Sequence, residues 1–274
     1  MAGLSTVLKL GPLLDLFTLE RHTWGVSEVA EALSMPRSSA HALLISLVEI
    51  GLLQTRGRGR YSIGWRVLEL GEVLRSRTDL RTLSAQVLED LVREHGETTH
   101  LAVMDRKTVL YVDKVRGTHN IVVQGARIGS RLEPHCTAVG KVLMANIDRS
   151  RVVEHYANRE LQRYTSTTIT DLPSLLAELD EVKKSGVAFD RGEQLEEIHC
   201  VAVPVRDEMG AVVAALSISV PVNRFAVRQA DLIQAARGAA TEIQRRITHA
   251  LDQPADAVSG TPDVRELRPI QPRS

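Results

Sequence analysis

Three short amphipathic segments followed at once by a glycine-punctuated pair of extended runs constrain the first sixty-odd residues more than any other feature of the chain. Pro12 to Glu20 carries Leu13, Leu14, Leu16 and Phe17 at helical spacing, and a second segment opening at Val26 sets Val29, Ala30 and Leu33 on one face. A third buries Leu43, Leu44, Leu47, Val48 and Ile50, with Ser34 where an N-cap is expected, Pro36 in the first turn and Gly51 at the end. Leu52 to Arg56 and Arg60 to Ile63 then read as strands joined by Gly57, Arg58 and Gly59. Three helices and a hairpin predict a winged helix-turn-helix over residues 1–64.

That fold reads DNA by laying the first turns of one helix in the major groove while flanking donors grip phosphate. Arg37, Ser38, Ser39 and His41 form the expected leading edge, with Ser27 on the preceding helix. From Pro36 to Arg66 the basic residues Arg37, Arg56, Arg58, Arg60 and Arg66 face only Glu49, so a chain of formal net charge +0 gathers positive charge where helix and wing would lie. The glycines of the Arg56 to Arg60 run let backbone approach a duplex, and its arginines suit a minor groove or phosphate. Such a turn by itself is more often ordinary solvated surface; its place after a three-helix unit is what points it at DNA.

The 274 residues exceed the usual single-domain size, so two cores are expected. No apolar run is long enough to span a bilayer, and Met1 to Leu10 has no basic stretch leading into an apolar one, which predicts a cytoplasmic location without a membrane partner. Trp65 to Arg77 returns to helical period through Val67, Leu68, Leu70 and Leu74, and residues 65–78 read as a linker helix whose apolar side suits a dimer contact. Residues 79–251 read as an α+β domain of antiparallel sheet: a helix at Leu80 to Glu94, strands at Thr98 to Met104, Val109 to Val115 and His119 to Gly125, and a helix opening near Thr137. Helices at Ser150 to His155 and Leu172 to Ser185 follow, then strands at Val187 to Asp190, His199 to Arg206 and Ala211 to Val220, and a last helix from Phe225 to Leu251. Residues 252–274, with Pro254, Pro262, Pro269 and Pro272, read as a disordered tail.

Within that second domain, His199, Val201, Val203 and Val205 alternate with Cys200, Ala202 and Pro204, and Leu216, Ile218 and Val220 alternate with Ala215, Ser217 and Ser219. One face of each strand is bulky; the other is small and lightly polar. Small residues leave room for a compact ligand and the thiol and hydroxyls offer directional contacts, although a closely packed helix would use the same face. Thr137 can cap a helix whose first N–H groups, on Ala138, Val139 and Gly140, form a natural cradle for a carboxylate.

Taken in order, these segments resemble the isocitrate lyase regulator (IclR) family of bacterial transcription factors from about Leu4 to Leu251. The amino-terminal part of the resemblance is carried by Val26-Ser27-Glu28-Val29-Ala30, Met35 to His41, Gly51-Leu52 and Tyr61-Ser62-Ile63-Gly64. The remainder is carried by Gly96-Glu97-Thr98, His135 to Lys141, Gly186 to Asp190, Cys200 to Val205 and Ala215 to Ser219. The resemblance implies a GAF-like effector-binding domain and a regulator, a repressor sooner than an activator, working as a homodimer or homotetramer on a near-palindromic operator. It implies no catalysis and no cofactor. By position it implies a small effector, often a carboxylate, held by backbone at Ala138 and Val139, by the side chains of Asp190, Cys200, Ser217 and Ser219, and by apolar walls at Ile121, Leu132 and Ile198. An ionised Asp190 would repel a carboxylate, which suggests an effector that also carries a hydroxyl, amine or proton. The chain departs from the family at Gly11-Pro12, at Glu133-Pro134 and at Arg191-Gly192.

Two other function classes compete. His135-Cys136 and His199-Cys200 invite a metal-binding sensor, yet adjacent strand residues point to opposite faces and the spacing fits no zinc module. A thiol-dependent small-molecule enzyme would need an oriented base and an oxyanion site, and the sequence offers neither.

Overall fold

A computed structural model describes residues 5–76, 80–118 and 126–252, which fall into two compact units within Met1–Asp79 and Leu80–Ser274. The strand expected at His119 to Gly125, Ile121 with it, and the expected tail beyond Asp252 lie outside the described residues.

The first unit runs α1 (Ser5–Leu8), α2 (Leu10–Asp15), β1 (Trp24–Gly25), α3 (Val26–Ala32), α4 (Arg37–Glu49), β2 (Leu53–Thr55), β3 (Arg60–Ile63) and α5 (Arg66–Ser76). The first helix expected at Pro12 to Glu20 is instead two short ones lying earlier in the chain. Pro12 has no N–H to give the Leu8 carbonyl, so the helix breaks at Lys9 and resumes. It ends at Asp15, where the Trp24 indole N–H donates to the Leu16 carbonyl at 2.7 Å and satisfies the helix terminus. Ser34 does not cap α4 as expected: it turns the chain at φ 48°, and Pro36 occupies the N-cap position.

Leu13, Val29, Leu44, Leu47 and Leu53 form the core of this unit. Strand β1, too short to read from sequence, adds Trp24 and Gly25 opposite Tyr61 and Arg60, giving the antiparallel order β1-β3-β2. The turn of the wing puts Gly57, Arg58 and Gly59 at φ 78°, 50° and 69°. A Cβ at either glycine would meet nothing within 4 Å, so conformation and not crowding selects glycine here.

The second unit runs α6 (Leu80–His95), β4 (Thr98–Asp105), β5 (Thr108–Val115), β6 (Arg131–Leu132), a 3₁₀ turn (Pro134–Cys136), α7 (Ala138–Ala145), α8 (Arg149–Tyr156), α9 (Leu172–Ser185), β7 (Ala188–Arg191), β8 (Ile198–Arg206), β9 (Val212–Pro221) and α10 (Val222–Asp252). The strands form one antiparallel sheet in the order β6-β5-β4-β9-β8-β7. Strand alternation divides the core in two. Val201, Val203, Leu216 and Ile218 pack with Leu88, Leu232 and Ile243 of α6 and α10. The small residues Ala102, Ala188, Ala202 and Ala215 face α7 and α9 with Val139, Val142 and Leu175. The helix left open by the sequence therefore does sit on the small face, and every residue of α7 is buried.

Candidate functional site

Arg37, Ser38, Ser39 and His41 line one exposed surface at the start of α4, and Ser27 is exposed on α3. Buried Ala40, Leu43, Leu44 and Leu47 fix the opposite face of α4 in the core, which leaves the leading edge pointing to solvent. The wing arginines are not equivalent. Arg58 is exposed at the tip. Arg56 Nε donates to Ser62 Oγ at 3.0 Å, holding the root of its guanidinium against β3. Arg60 turns back: it donates to Thr23 Oγ1 at 3.2 Å and the Thr23 carbonyl at 2.9 Å, and lies 3.3 Å from Glu28 Oε2. Glu28 also accepts from the Gly25 N–H at 2.7 Å, so Arg60 belongs to a knot that ties the wing to α3.

In the second unit Thr137 caps α7, its Oγ1 accepting from the Gly140 N–H at 3.2 Å. A Cβ on Gly140 would come within 2.2 Å of the Pro134 carbonyl oxygen; only glycine lets the 3₁₀ turn press against this helix end. Strand pairing aligns Asp190 opposite Cys200 and Cys200 opposite Ser219, while Ser217 stands between Ala202 and His100. Cys200 Sγ and Ser219 Oγ are 3.1 Å apart, and Ser219 Oγ lies 3.4 Å from His100 Nδ1. Ala138, Val139 and Ile198 share an apolar cluster against which Leu132 and Cys200 pack. All the expected cradle residues that the structure describes thus belong to one side of the sheet.

Beside these residues lies a buried charged group that sequence spacing alone does not single out. Lys141 on α7 donates from Nζ to Glu193 Oε1 at 2.5 Å and to the Phe189 carbonyl at 2.9 Å. The Glu193 N–H in turn donates to Asp190 Oδ1 at 2.7 Å. Burial pushes the Asp190 carboxyl up to about pKa 7, against the Glu193 N–H that favours its ionised form; the charge of Glu193 adds to the rise and that of Lys141 opposes it. Thr165 and Thr168 clasp the turn, donating to the Gly192 and Glu193 carbonyls at 2.7 Å each. His100 Nε2 and Glu193 Oε2 are buried and find no hydrogen-bond partner among the described residues. Such groups are available to a polar ligand.

The same geometry bears on the rival classes. Burial drives both the Cys136 and Cys200 thiols above the ordinary cysteine range, the opposite of what a thiolate nucleophile requires. Cys136 donates to Gln194 Oε1 at 2.9 Å, and no hydrogen bond to an imidazole is found for it among the described residues.

Comparison with known proteins draws both units together. A model of the IclR helix-turn-helix domain matches residues 6–57, and one of the bacterial transcriptional regulator IclR C-terminal domain matches residues 73–245. The HTH-type transcriptional regulator KdgR of Escherichia coli is 34% identical over 224 residues, spanning 81% of this chain and 84% of its own. A crystal structure of an IclR homologue from Microbacterium hydrocarbonoxydans, complexed with 4-hydroxybenzoate, superposes with a TM-score of 0.77 at 27% identity, covering 88% of this chain and 98% of that one. The Thermotoga maritima IclR structure gives 0.67 at 30% identity, over 89% and 98%. With a winged amino-terminal unit, an α+β unit of antiparallel sheet and matches along both, the chain belongs to the IclR family of DNA-binding transcriptional regulators, proteins with a carboxy-terminal effector domain and no enzymatic role.

Proposed function

We propose that this regulator is a repressor whose hold on a near-palindromic operator is relieved or tightened by a small carboxylic acid that also carries a hydrogen-bond donor. The observation that carries the reading is the convergence of the capped α7 terminus with the Asp190, Cys200 and Ser219 row. Backbone N–H groups at a helix start suit a carboxylate. Asp190, with a pKa near 7, suits a donor or a shared proton at the other end of the molecule. The 4-hydroxybenzoate in the Microbacterium homologue has both groups.

Residues 1–64 serve as the DNA-binding domain, 65–78 as the linker and 79–251 as the effector domain, acting in the cytoplasm where the chromosome lies. Among the described residues no helix is long and apolar enough to cross a membrane. One reading helix contacts too few base pairs for tight specificity, which calls for paired protomers. Support for pairing comes from α5, whose Val67, Leu70 and Leu74 share one face at helical spacing and are 40%, 49% and 79% exposed in the single chain. A contiguous apolar stripe of that kind marks an interaction surface. A homodimer joined along α5 accounts for it, and a homotetramer is two such dimers.

The test follows fluorescence anisotropy of a labelled operator while 4-hydroxybenzoate and a panel of hydroxy, amino and keto acids are titrated in, with thermal shift read in parallel. One acid should both raise the melting temperature and change operator affinity. If no carboxylate does both, the proposed effector class is wrong. Sedimentation of Leu70→Glu, Leu74→Glu should show loss of the dimer, and an unchanged oligomer would remove α5 from the interface.

A further inference from the structure

A cavity lies between the 3₁₀ turn, the last turn of α7 and α8. It has a volume of about 380 Å³ and its walls include Met104, Pro134, Met144, Ile147 and Val152. Met144 sits in the last turn of α7, whereas Ala138 and Val139 open the first, so this space shares no residue with the cradle. Its floor is firm: Pro134, Met144 and Val152 are buried and belong to three different elements. Its volume falls in the lower part of the ~300–1,000 Å³ span of small-molecule sites.

The charged groups around the apolar floor are Lys107, Arg151 and Glu154. Lys107 is held at the mouth by the backbone. Arg106 and Lys107 form a two-residue turn between the paired Asp105 and Thr108, at φ 50° and 66°, values that non-glycine residues adopt uncommonly. Arg131 closes the base of this turn, donating to the Asp105 carbonyl at 3.0 Å and to Thr108 Oγ1 at 2.9 Å. Arg151 projects from the first turn of α8 and is exposed. His155 adds no charge at neutral pH, since burial and then the neighbouring Arg159 hold it below the ordinary histidine value.

We propose that this cavity is a second ligand site, separate from the cradle, which takes a small amphipathic carboxylate with its apolar chain on Met144 and Val152 and its head group between Lys107 and Arg151. Two cations against one carboxylate give the mouth a net positive charge. Lysine and arginine stems also extend the apolar wall while their heads stay in water, which suits an amphiphile over a fully polar anion. A cationic or neutral amphiphile of equal length lacks the head-group attraction.

Octanoate, octan-1-ol and octylammonium serve as probes in calorimetric titrations of the full-length protein. Octanoate should bind at least tenfold more tightly than the other two, and Lys107→Glu, Arg151→Glu should weaken it at least tenfold. Arg151 and Lys107 are exposed, so the double variant keeps its fold, which circular dichroism verifies. The Ser217→Ala, Ser219→Ala variant should bind octanoate as the wild type does. The proposal is overturned by absence of octanoate binding, by equal affinity for the three probes, or by indifference to the charge reversals. It is overturned equally if octanoate binding is lost in the serine variant, because the probe then occupies the cradle. Failure of the cradle reading leaves these outcomes intact, since no step here depends on it.

Discussion

Lys141 Nζ lies 2.5 Å from Glu193 Oε1 with both side chains out of solvent, so the helix whose first turn is proposed to hold the effector is bonded by charge to the turn that follows Asp190 and β7. Each ion alone would be costly in this interior, and together they satisfy one another.

Removing one partner should therefore cost far more than removing both. Lys141→Met leaves the buried Glu193 carboxyl without its cationic partner, a change worth about 3–5 kcal/mol of stability. Lys141→Met with Glu193→Gln should recover much of that loss, because no unpaired charge remains. Urea denaturation of the two variants measures the difference. Equal losses would mean that the pair is not coupled.

Asp190 predicts a dependence on pH. Its folded-state pKa of about 7 lies above its ordinary value of 3.8, so the folded chain holds this proton more tightly than the unfolded chain. Its contribution favours folding fully below about pH 4 and is lost as pH rises through about 7. Asp190→Asn abolishes that titration. The stability of the asparagine variant relative to wild type should therefore grow by about 2–3 kcal/mol from pH 5 to pH 8. Thermal denaturation at the two pH values checks it; a difference that stays flat or shrinks would show Asp190 to be an ordinary carboxylate. A carboxylate effector should likewise bind more tightly at pH 6 than at pH 8, where Asp190 is ionised.

The sequence was most legible where spacing alone carries the signal. The alternation at Cys200 to Val205 and Ala215 to Val220 identified both faces of the sheet, and Asp171 with Gly186 bounds α9 where the periodic run begins and ends. What escaped depended on partners distant in the chain. Lys141 reads as one more residue in a family motif until Glu193 arrives 52 residues later. Arg60 reads as the third DNA-directed arginine of the wing, and its bond to Thr23, 37 residues away, is set only by the fold. Pro12 did give a local warning, but the direction in which the helix would shift required the packing of Leu13 and Trp24.

Arg37 on α4 and the wing residues Arg58 and Arg60 should separate in binding and stability experiments. On the proposed assignment of Arg37 to base edges and Arg58 to backbone or minor groove, Arg37→Ala should weaken operator binding more than binding to random DNA, whereas Arg58→Ala should weaken both. Arg60→Ala should act chiefly on the fold, lowering the stability of the winged unit by about 1 kcal/mol through its Thr23 bonds. Gel shifts at fixed salt and thermal melts distinguish these. An Arg37→Ala loss equal on both DNAs would contradict its base-reading role.

The two serines give the most direct test of the cradle. Ser219 Oγ already lies near Cys200 Sγ and His100 Nδ1, and Ser217 is buried on the same face of β9 two residues away. Removing both hydroxyls takes away two directional contacts without altering the apolar packing against α6 and α10, which uses the other face of the strand. Ser217→Ala, Ser219→Ala should therefore bind operator as the wild type does. A ligand alters operator affinity only by as much as it prefers one conformation over the other, so the response should move with effector affinity alone. The loss should be roughly 1–3 kcal/mol, a shift of about tenfold or more in the effector concentration needed. Titrating the effector into a fluorescent operator complex of each protein measures that shift directly. If the midpoints coincide, the small face of the sheet serves only to seat α7, and the effector binds elsewhere.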